Sequence, residues 1–186
     1  MFRGTEYLHS YDIAHGDIKT VSPQTLVRYA IVKPPCSKPN ILISNSTPPR
    51  AMLSDFGSSR ITTTTAEMSG EEQGAPSFMA PELLLPTKFG LENGAPSKEA
   101  DIYALGITAY QVLTGKRPFL PRRNAGIMRA VISGERPAKP ENAEGIGMTE
   151  AVWDFLRECW REDRTARPNI LDALRKLCDI TGKRDH

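Results

Sequence analysis

Four side chains in the first third of the chain carry groups that chemistry can use. Asp17 and Lys19 stand two apart in His15-Gly16-Asp17-Ile18-Lys19, Asn40 follows a Pro-rich stretch, and Asp55 opens Asp55-Phe56-Gly57. A carboxylate accepts protons, and carboxylate and carboxamide oxygens are hard donors of the kind that hold magnesium. An ammonium is a compact point charge suited to anionic groups. Taken singly, each residue has a plainer reading: Asp17 and Asn40 as turn formers, Asp55 as the end of a strand. A third short motif, Ala80-Pro81-Glu82, closes a polar stretch. Tripeptides recur by chance, so the weight falls on their order and on the elements that carry them.

Those elements can be read from hydrophobic spacing. Phe2, Tyr7 and Leu8 recur at loosely helical intervals, so the first ten residues read as the end of a helix. Ile41-Leu42-Ile43 and Ala51-Met52-Leu53 read as two short strands separated by the turn-rich residues 44–49. Asn40 then leads into one strand and Asp55 follows the other. Residues 58–79, with four successive threonines at Thr62 to Thr65, read as a long loop, which in a compact domain is usually functional or disordered. From about Lys98 the chain turns helical. Residues 100–113 are apolar nearly all round, as in a helix buried at a domain centre, and Gly115 is its stop. Further helices are expected near 125–132, 149–160 and 168–177, with Thr149 capping the second and Pro168 in the first turn of the last.

Composition narrows the class. The chain has 186 residues, 39% hydrophobic and 25% charged, with 14 Gly and 15 Pro. That is ordinary globular usage, which excludes collagen-like, coiled-coil and wholly disordered chains. Lys and Arg number 24 against 22 Asp and Glu, for a net charge of +2. So small a charge builds no field for nucleic acid or an anionic membrane, and no apolar run approaches the ~18 residues that span a bilayer. Cys36, Cys159 and Cys178 form no CxxC pair, which argues against a zinc cage or a disulfide framework and for a reducing compartment. With no signal-peptide core at the N-terminus, the expected location is intracellular, in the cytoplasm.

In order and context, the three motifs resemble the protein-kinase set: catalytic loop, magnesium motif, activation loop and Ala-Pro-Glu. The likeness continues in Asp101-Ile102-Tyr103-Ala104-Leu105-Gly106, similar to the start of the central buried helix of the kinase large lobe, and in Cys159-Trp160 with Arg167-Pro168, similar to its closing helices. The fold this implies is the kinase-like α+β large, C-terminal lobe, mainly α-helical with short β-hairpins around the catalytic loop. It would span residues 1–178, leaving 179–186 as a tail. The resemblance implies transfer of the ATP γ-phosphate to a protein Ser or Thr hydroxyl, a reaction needing positioning and charge neutralisation more than covalent help. It implies Asp17 as the catalytic base and Lys19 as the charge that steadies the transferring phosphate. Asn40 and Asp55 match the Mg²⁺ ligands, and Leu42 the floor of the adenine pocket, so that Lys19, Asn40, Leu42 and Asp55 together would hold ATP and its metal. His15 and Phe56 match members of the hydrophobic column that aligns the two lobes, Glu82 and Arg167 a buried ion pair, and Asp101 the anchor of the catalytic-loop backbone. Lys19 favours a Ser/Thr-type loop, and the Cys159-Trp160 ending resembles the tyrosine-kinase-like branch.

Three departures qualify the resemblance. Gly16 and Ala75 stand where Arg and Thr are usual, which removes one cation that would pair with a phosphorylated activation loop. Asn40 falls 23 positions after Asp17, where the family pattern has five. Removing residues 21–38 restores that spacing. These 18 residues correspond to 54 nucleotides. Val21-Ser22 can be encoded by a 5′ splice-site consensus and Lys38 by the AAG that ends an intron, so an unspliced intron is one origin for the insertion. A genuine loop insertion beside the active site is the other. Finally, no G-x-G-x-x-G and no Val-Ala-Ile-Lys strand occurs in the 186 residues, so the small lobe is expected to be absent. The chain alone is then expected to be weak or inactive, or to serve as a non-catalytic interaction module. A partner protein would dock on the apolar face that a small lobe would otherwise cover.

Overall fold

The computed structural model describes residues 1–20, 40–44, 46–47, 50–62 and 75–182. The insertion at 21–38 and the threonines at 63–65 lie outside these residues. Along the described chain run α1 (Phe2–Ser10), β1 (Ile13–Ala14), β2 (Ile41–Ile43), β3 (Ala51–Leu53), β4 (Arg60–Ile61), α2 (Pro81–Leu84), α3 (Lys98–Thr114), α4 (Asn124–Ile132), α5 (Glu150–Cys159) and α6 (Ile170–Thr181), with single 3₁₀ turns at Pro86–Phe89, Glu144–Ile146 and Arg164–Ala166. Helix dominates and the strands are short, as the sequence leads one to expect. No helix among the described residues is long and apolar enough to cross a membrane.

Helix α3 is the axis of the fold. Ser97 caps it by accepting a hydrogen bond from the Ala100 N–H at 3.1 Å, and Gly115 ends it in the left-handed conformation at φ 67°, which a residue without Cβ adopts at no steric cost. Every residue from Ala100 to Thr108 is buried. A helix buried on all sides must be surrounded, and α3 packs against α1 and α5, with α6 closing over both. Each Ile or Leu fully withdrawn from water contributes about 1.5–3 kcal/mol, so Ile102, Leu105 and Ile107 anchor this packing. At Gly106 a Cβ would lie 2.7 Å from the Cβ of Cys159, so the missing side chain is what lets α5 approach. On its buried face, α5 presents Phe155, Leu156 and Cys159, and Phe2 of α1 tilts against Phe155 with ring centroids 6.0 Å apart.

The strands serve the loops. β2 and β3 form the expected antiparallel hairpin, pairing Ile41 with Leu53, Leu42 with Met52 and Ile43 with Ala51. A second antiparallel ladder pairs Ile13 with Ile61 and Ala14 with Arg60. It lies inside the stretch read as loop: β4 is two residues long, too short to give a periodic signal, and it is held by a partner far away in sequence. The last helix also corrects its expected start. Its N-cap is Asn169, whose Oδ1 accepts from the Asp172 N–H at 2.9 Å, and Pro168 stands one residue before the cap. Asn offers the side-chain oxygen that an exposed helix N–H needs, and Pro does not. The helix continues to Thr181, so residues 179–181 share its regular structure.

Candidate active site

The loop between β1 and Asn40 is held from beneath by one buried carboxylate. Asp101, in the first turn of α3 and 1% exposed, accepts the His15 N–H on Oδ2 at 2.7 Å and the Gly16 N–H on Oδ1 at 2.9 Å. Successive backbone N–H groups converging on an anion form a nest, and Gly16 closes it at φ 80°. A buried carboxylate is tolerated when donors surround it, and a third comes from His9 of α1, whose Nε2 lies 3.0 Å from Oδ2. The His15 ring is fixed on both edges. Its Nε2–H donates to the Ser54 carbonyl at 3.2 Å, and its Nδ1 accepts the Asp17 N–H at 3.4 Å, a pattern that specifies the Nε2–H tautomer. Ser59 Oγ donates to the His15 carbonyl at 3.2 Å, and Phe56 tilts against the His15 ring at 5.2 Å.

On this support stand Asp17, Lys19 and Asn40. Lys19 Nζ lies 2.6 Å from Asp17 Oδ2, with the two side chains 13% and 18% exposed. They are shielded enough to hold a charge-assisted contact and open enough to meet a ligand. Asn40 is fully buried. Its Nδ2 donates to the Asp17 carbonyl at 2.7 Å and to Asp17 Oδ2 at 2.7 Å, so both amide hydrogens are committed to Asp17. Its Oδ1 is buried and has no hydrogen-bond partner among the described residues. An orphaned acceptor of this kind costs about 1–3 kcal/mol, and a hard cation is the group that would satisfy it. The backbone carries the same closure, since the Asn40 N–H donates to the Lys19 carbonyl at 3.2 Å and the Ser54 N–H to the Asn40 carbonyl at 2.9 Å. Lys19 and Asn40 are therefore adjacent in space despite the 20 residues between them.

Asp55 follows β3 with an exposed carboxylate and a left-handed backbone at φ 63°. Its Oδ1 accepts from the Gly57 N–H at 3.4 Å. Left-handed non-glycine residues cost of order 1–3 kcal/mol and gather at functional sites. Leu42 sits on β2 and is 46% exposed, beside exposed Ile43, Met52 and Phe56. Among the described residues no cluster of three His, Cys, Asp or Glu side chains forms a metal cage. Magnesium does not require one, since it takes one or two protein oxygens and fills its octahedron with phosphate and water. The free Asn40 Oδ1 and the open Asp55 carboxylate fit that donor set. Behind the site, Arg167 meets Glu82 in a two-pronged pair at 2.6 and 2.8 Å, with both side chains at most 1% exposed.

Two contributors escape sequence reasoning. Neither His9 nor Ser54 lies in a motif, and each acts on the loop across a long separation in the chain. A histidine on the buried face of an amphipathic helix was the one available signal for His9.

Residues 33–177 match the model of the protein kinase domain. That span includes Asn40 and Asp55, and Asp17 and Lys19 precede it. The chain is 30% identical over 184 residues to mitogen-activated protein kinase kinase kinase 2 of Arabidopsis thaliana, covering 97% of this chain and 23% of that protein. It is 30% identical over 187 residues to the MAP kinase kinase kinase wis4 of Schizosaccharomyces pombe, covering 94% of this chain and 11% of wis4. A putative serine/threonine-protein kinase/receptor of Acanthamoeba polyphaga mimivirus is 26% identical over 185 residues, 98% of this chain and 9% of that protein. The chain thus spans a quarter or less of the length of these relatives.

Proposed function

The chain belongs to the protein kinase domain family, and from that premise we propose that its site is built to transfer the γ-phosphate of ATP to Ser or Thr hydroxyls of a protein substrate. The observation that carries the reading is Asn40. Its amide hydrogens are spent on Asp17, and its carbonyl oxygen, without a partner among the described residues, is the hard donor that a metal ion would take. Asp17 accepts the proton of the attacking hydroxyl, and the bond from Asn40 Nδ2 holds its carboxylate in place for this. Lys19, against the same carboxylate, presents positive charge to the phosphate. Asn40 Oδ1 and Asp55 would hold Mg²⁺, which with ATP supplies the phosphoryl group and neutralises its charge. Leu42 offers an apolar surface to the adenine.

Within the 186 residues no Gly-rich loop covers the phosphates, so the chain as a C-terminal lobe is expected to transfer phosphate slowly when alone. Two measurements on the purified chain test the reading. Mn²⁺ with ADP should broaden the NMR signal of the Asn40 side-chain amide, and absence of broadening at millimolar metal sinks the metal assignment. Any phosphate transfer from ATP to a Ser/Thr peptide mixture should vanish in Asp17→Asn, and transfer surviving that change removes Asp17 as the base.

A second reading, a non-catalytic module that docks a partner protein, is favoured by one observation: Leu42 and Met52, paired across the β2–β3 hairpin, and nearby in sequence Ile43 and Phe56 are each about half exposed, and exposed apolar surface of this kind marks interaction sites. Genomic sequence upstream of Met1 discriminates the two, since an in-frame exon with a Gly-rich loop and a Val-Ala-Ile-Lys-like strand favours the enzyme.

A further inference from the structure

Both tryptophans of the chain line one cavity that shares no residue with the site around Asp17. It lies where the loop after α4 meets the end of α5, and its volume is about 260 Å³. Half-buried Trp153 of α5 meets buried Trp160 edge-to-face with centroids 5.8 Å apart, and Pro137 adds to the apolar wall. The charged groups on the wall are Arg136, Arg157, Arg161 and Glu162. Glu162 is taken by Lys88, whose Nζ lies 2.6 Å away. Arg157 is taken by Asp154 of its own helix, at 3.5 Å. The hydrogen-bond acceptors of Arg136 and Arg161, among the described residues, are all carbonyls. Arg161 donates to Ala166 at 2.9 Å. Arg136 donates from Nε to Trp160 at 2.7 Å and from Nη1 to Val131 and Glu135 at 3.1 and 2.8 Å. Its Nη2 is buried and has no hydrogen-bond partner among the described residues.

What this wall lacks defines what would complete it. Carbonyls orient a guanidinium without neutralising it, and an oxyanion would add charge-assisted hydrogen bonds. Three carbonyl contacts hold the Arg136 plane before any ligand arrives, so little ordering is lost on binding. Trp153 supplies an aromatic surface for a flat apolar body. Volume sets the size. A cavity of ~150 Å³ holds one benzene ring, and drug-sized sites begin near about 300 Å³. At about 260 Å³ the cavity suits one ring with one anionic group.

We propose that this cavity binds a single aromatic ring bearing a phosphate or carboxylate, with the oxyanion on Arg136 and Arg161 and the ring against Trp153. The ring comes from a free aryl metabolite or from a phosphorylated aromatic side chain of another protein. Because the chain has no other tryptophan, its indole emission reports on this cavity alone. At fixed ionic strength, phenyl phosphate should change that emission saturably with a Kd of about 1 mM or below. Inorganic phosphate, which lacks the ring, and benzyl alcohol, which lacks the charge, should each bind at least about 10-fold more weakly. Arg161→Gln, a change at an exposed side chain, should weaken phenyl phosphate on the order of 10-fold. Arg136→Gln should abolish binding, and since it also removes three hydrogen bonds that hold the loop, Arg161→Gln is the deciding variant. No saturable change up to about 50 mM phenyl phosphate, or an unchanged Kd in Arg161→Gln, overturns the proposal. Equal affinity for inorganic phosphate overturns the aromatic half of it. A blocked Gly-phosphotyrosine-Gly peptide that binds as tightly as phenyl phosphate supports the site with a protein side chain as the source, and exclusion of that peptide supports it with a free small molecule.

Discussion

Glu82→Gln should be among the most damaging single-atom exchanges available to this chain. Arg167 is held between helices with 0% of its side chain exposed, facing Glu82 at 1%. Two parallel N–H···O contacts at 2.6 and 2.8 Å join them. Breaking one side of a buried pair leaves an uncompensated charge, which costs about 3–5 kcal/mol. Arg167 is not left bare, because its Nη1 also donates to the Glu99 carbonyl at 3.0 Å and its Nε to the Arg161 carbonyl at 2.9 Å. The Tyr103 ring lies 5.2 Å from its guanidinium carbon. These remaining partners place the loss at the lower end, about 3 kcal/mol. With a urea m-value of roughly 2 kcal/mol/M, that loss moves the midpoint down by about 1.5 M. Trp153 and Trp160, edge-to-face at 5.8 Å, supply the fluorescence signal. The double replacement Glu82→Leu with Arg167→Met removes both charges and should be less destabilised than Glu82→Gln, because an apolar pair has no stranded ion. A midpoint shift under about 0.5 M for Glu82→Gln, or a double variant worse than the single, would refute the reasoning.

Three further outcomes follow from particular contacts. Burial raises the hydroxyl of Tyr103 from 10.0 to about 12 and the thiol of Cys159 from 9.0 to about 12. The folded chain therefore keeps two protons that the unfolded chain releases, and stability should be full below pH 9 and fall as pH rises toward 12. The fall approaches about 1.4 kcal/mol per pH unit for each group. Urea midpoints at pH 8, 10 and 11 check this, Tyr103→Phe should flatten the fall above pH 10, and a flat profile contradicts it. Deleting residues 21–38 should leave a folded chain, since Lys19 and Asn40 are already joined by a 3.2 Å backbone hydrogen bond. Shortening the closed loop should add on the order of 1–2 kcal/mol, and loss of cooperative unfolding in the deletion would show that the insertion carries structure the site needs. Gly16→Ala should cost at least about 1–2 kcal/mol for the left-handed backbone alone, measurable as a lowered urea midpoint, and a neutral result would mean that the loop is free to move.

The helical half of the fold was legible because its signals are local. Residues 100–113 are apolar nearly all round, Thr149 and Gly115 mark ends, and each feature is satisfied within a few residues. What the sequence concealed is non-local: the two-residue strand β4, paired with β1 across nearly 50 positions, and His9 reaching Asp101 across 92. Pro168 misled for a different reason, because a residue compatible with the first helical turn preceded one with a better capping oxygen. At the site, hydrogen bonds join Asp17, Lys19 and Asn40 across the residues that separate them in the chain. The resemblance named Asn40 as a ligand, and the structure adds how its amide is turned: the two hydrogens on Asp17 decide which atom is left over.

Gly16 shows how a departure from a family pattern changes meaning once the packing is visible. In the sequence it stands as a missing cation. In the structure, a Cβ there would lie 2.7 Å from the Ser58 carbonyl oxygen and 2.8 Å from Pro96 Cγ, and the backbone is left-handed at φ 80°. A backbone carbonyl and a proline ring cannot swing aside as the end of a flexible side chain would. Any residue with a side chain, arginine included, must displace them or reshape the nest around Asp101. The Gly16 N–H is itself one of the three donors on that carboxylate. Ser58 and Pro96, with the donor that Gly16 gives to Asp101, together favour glycine at residue 16 in this chain.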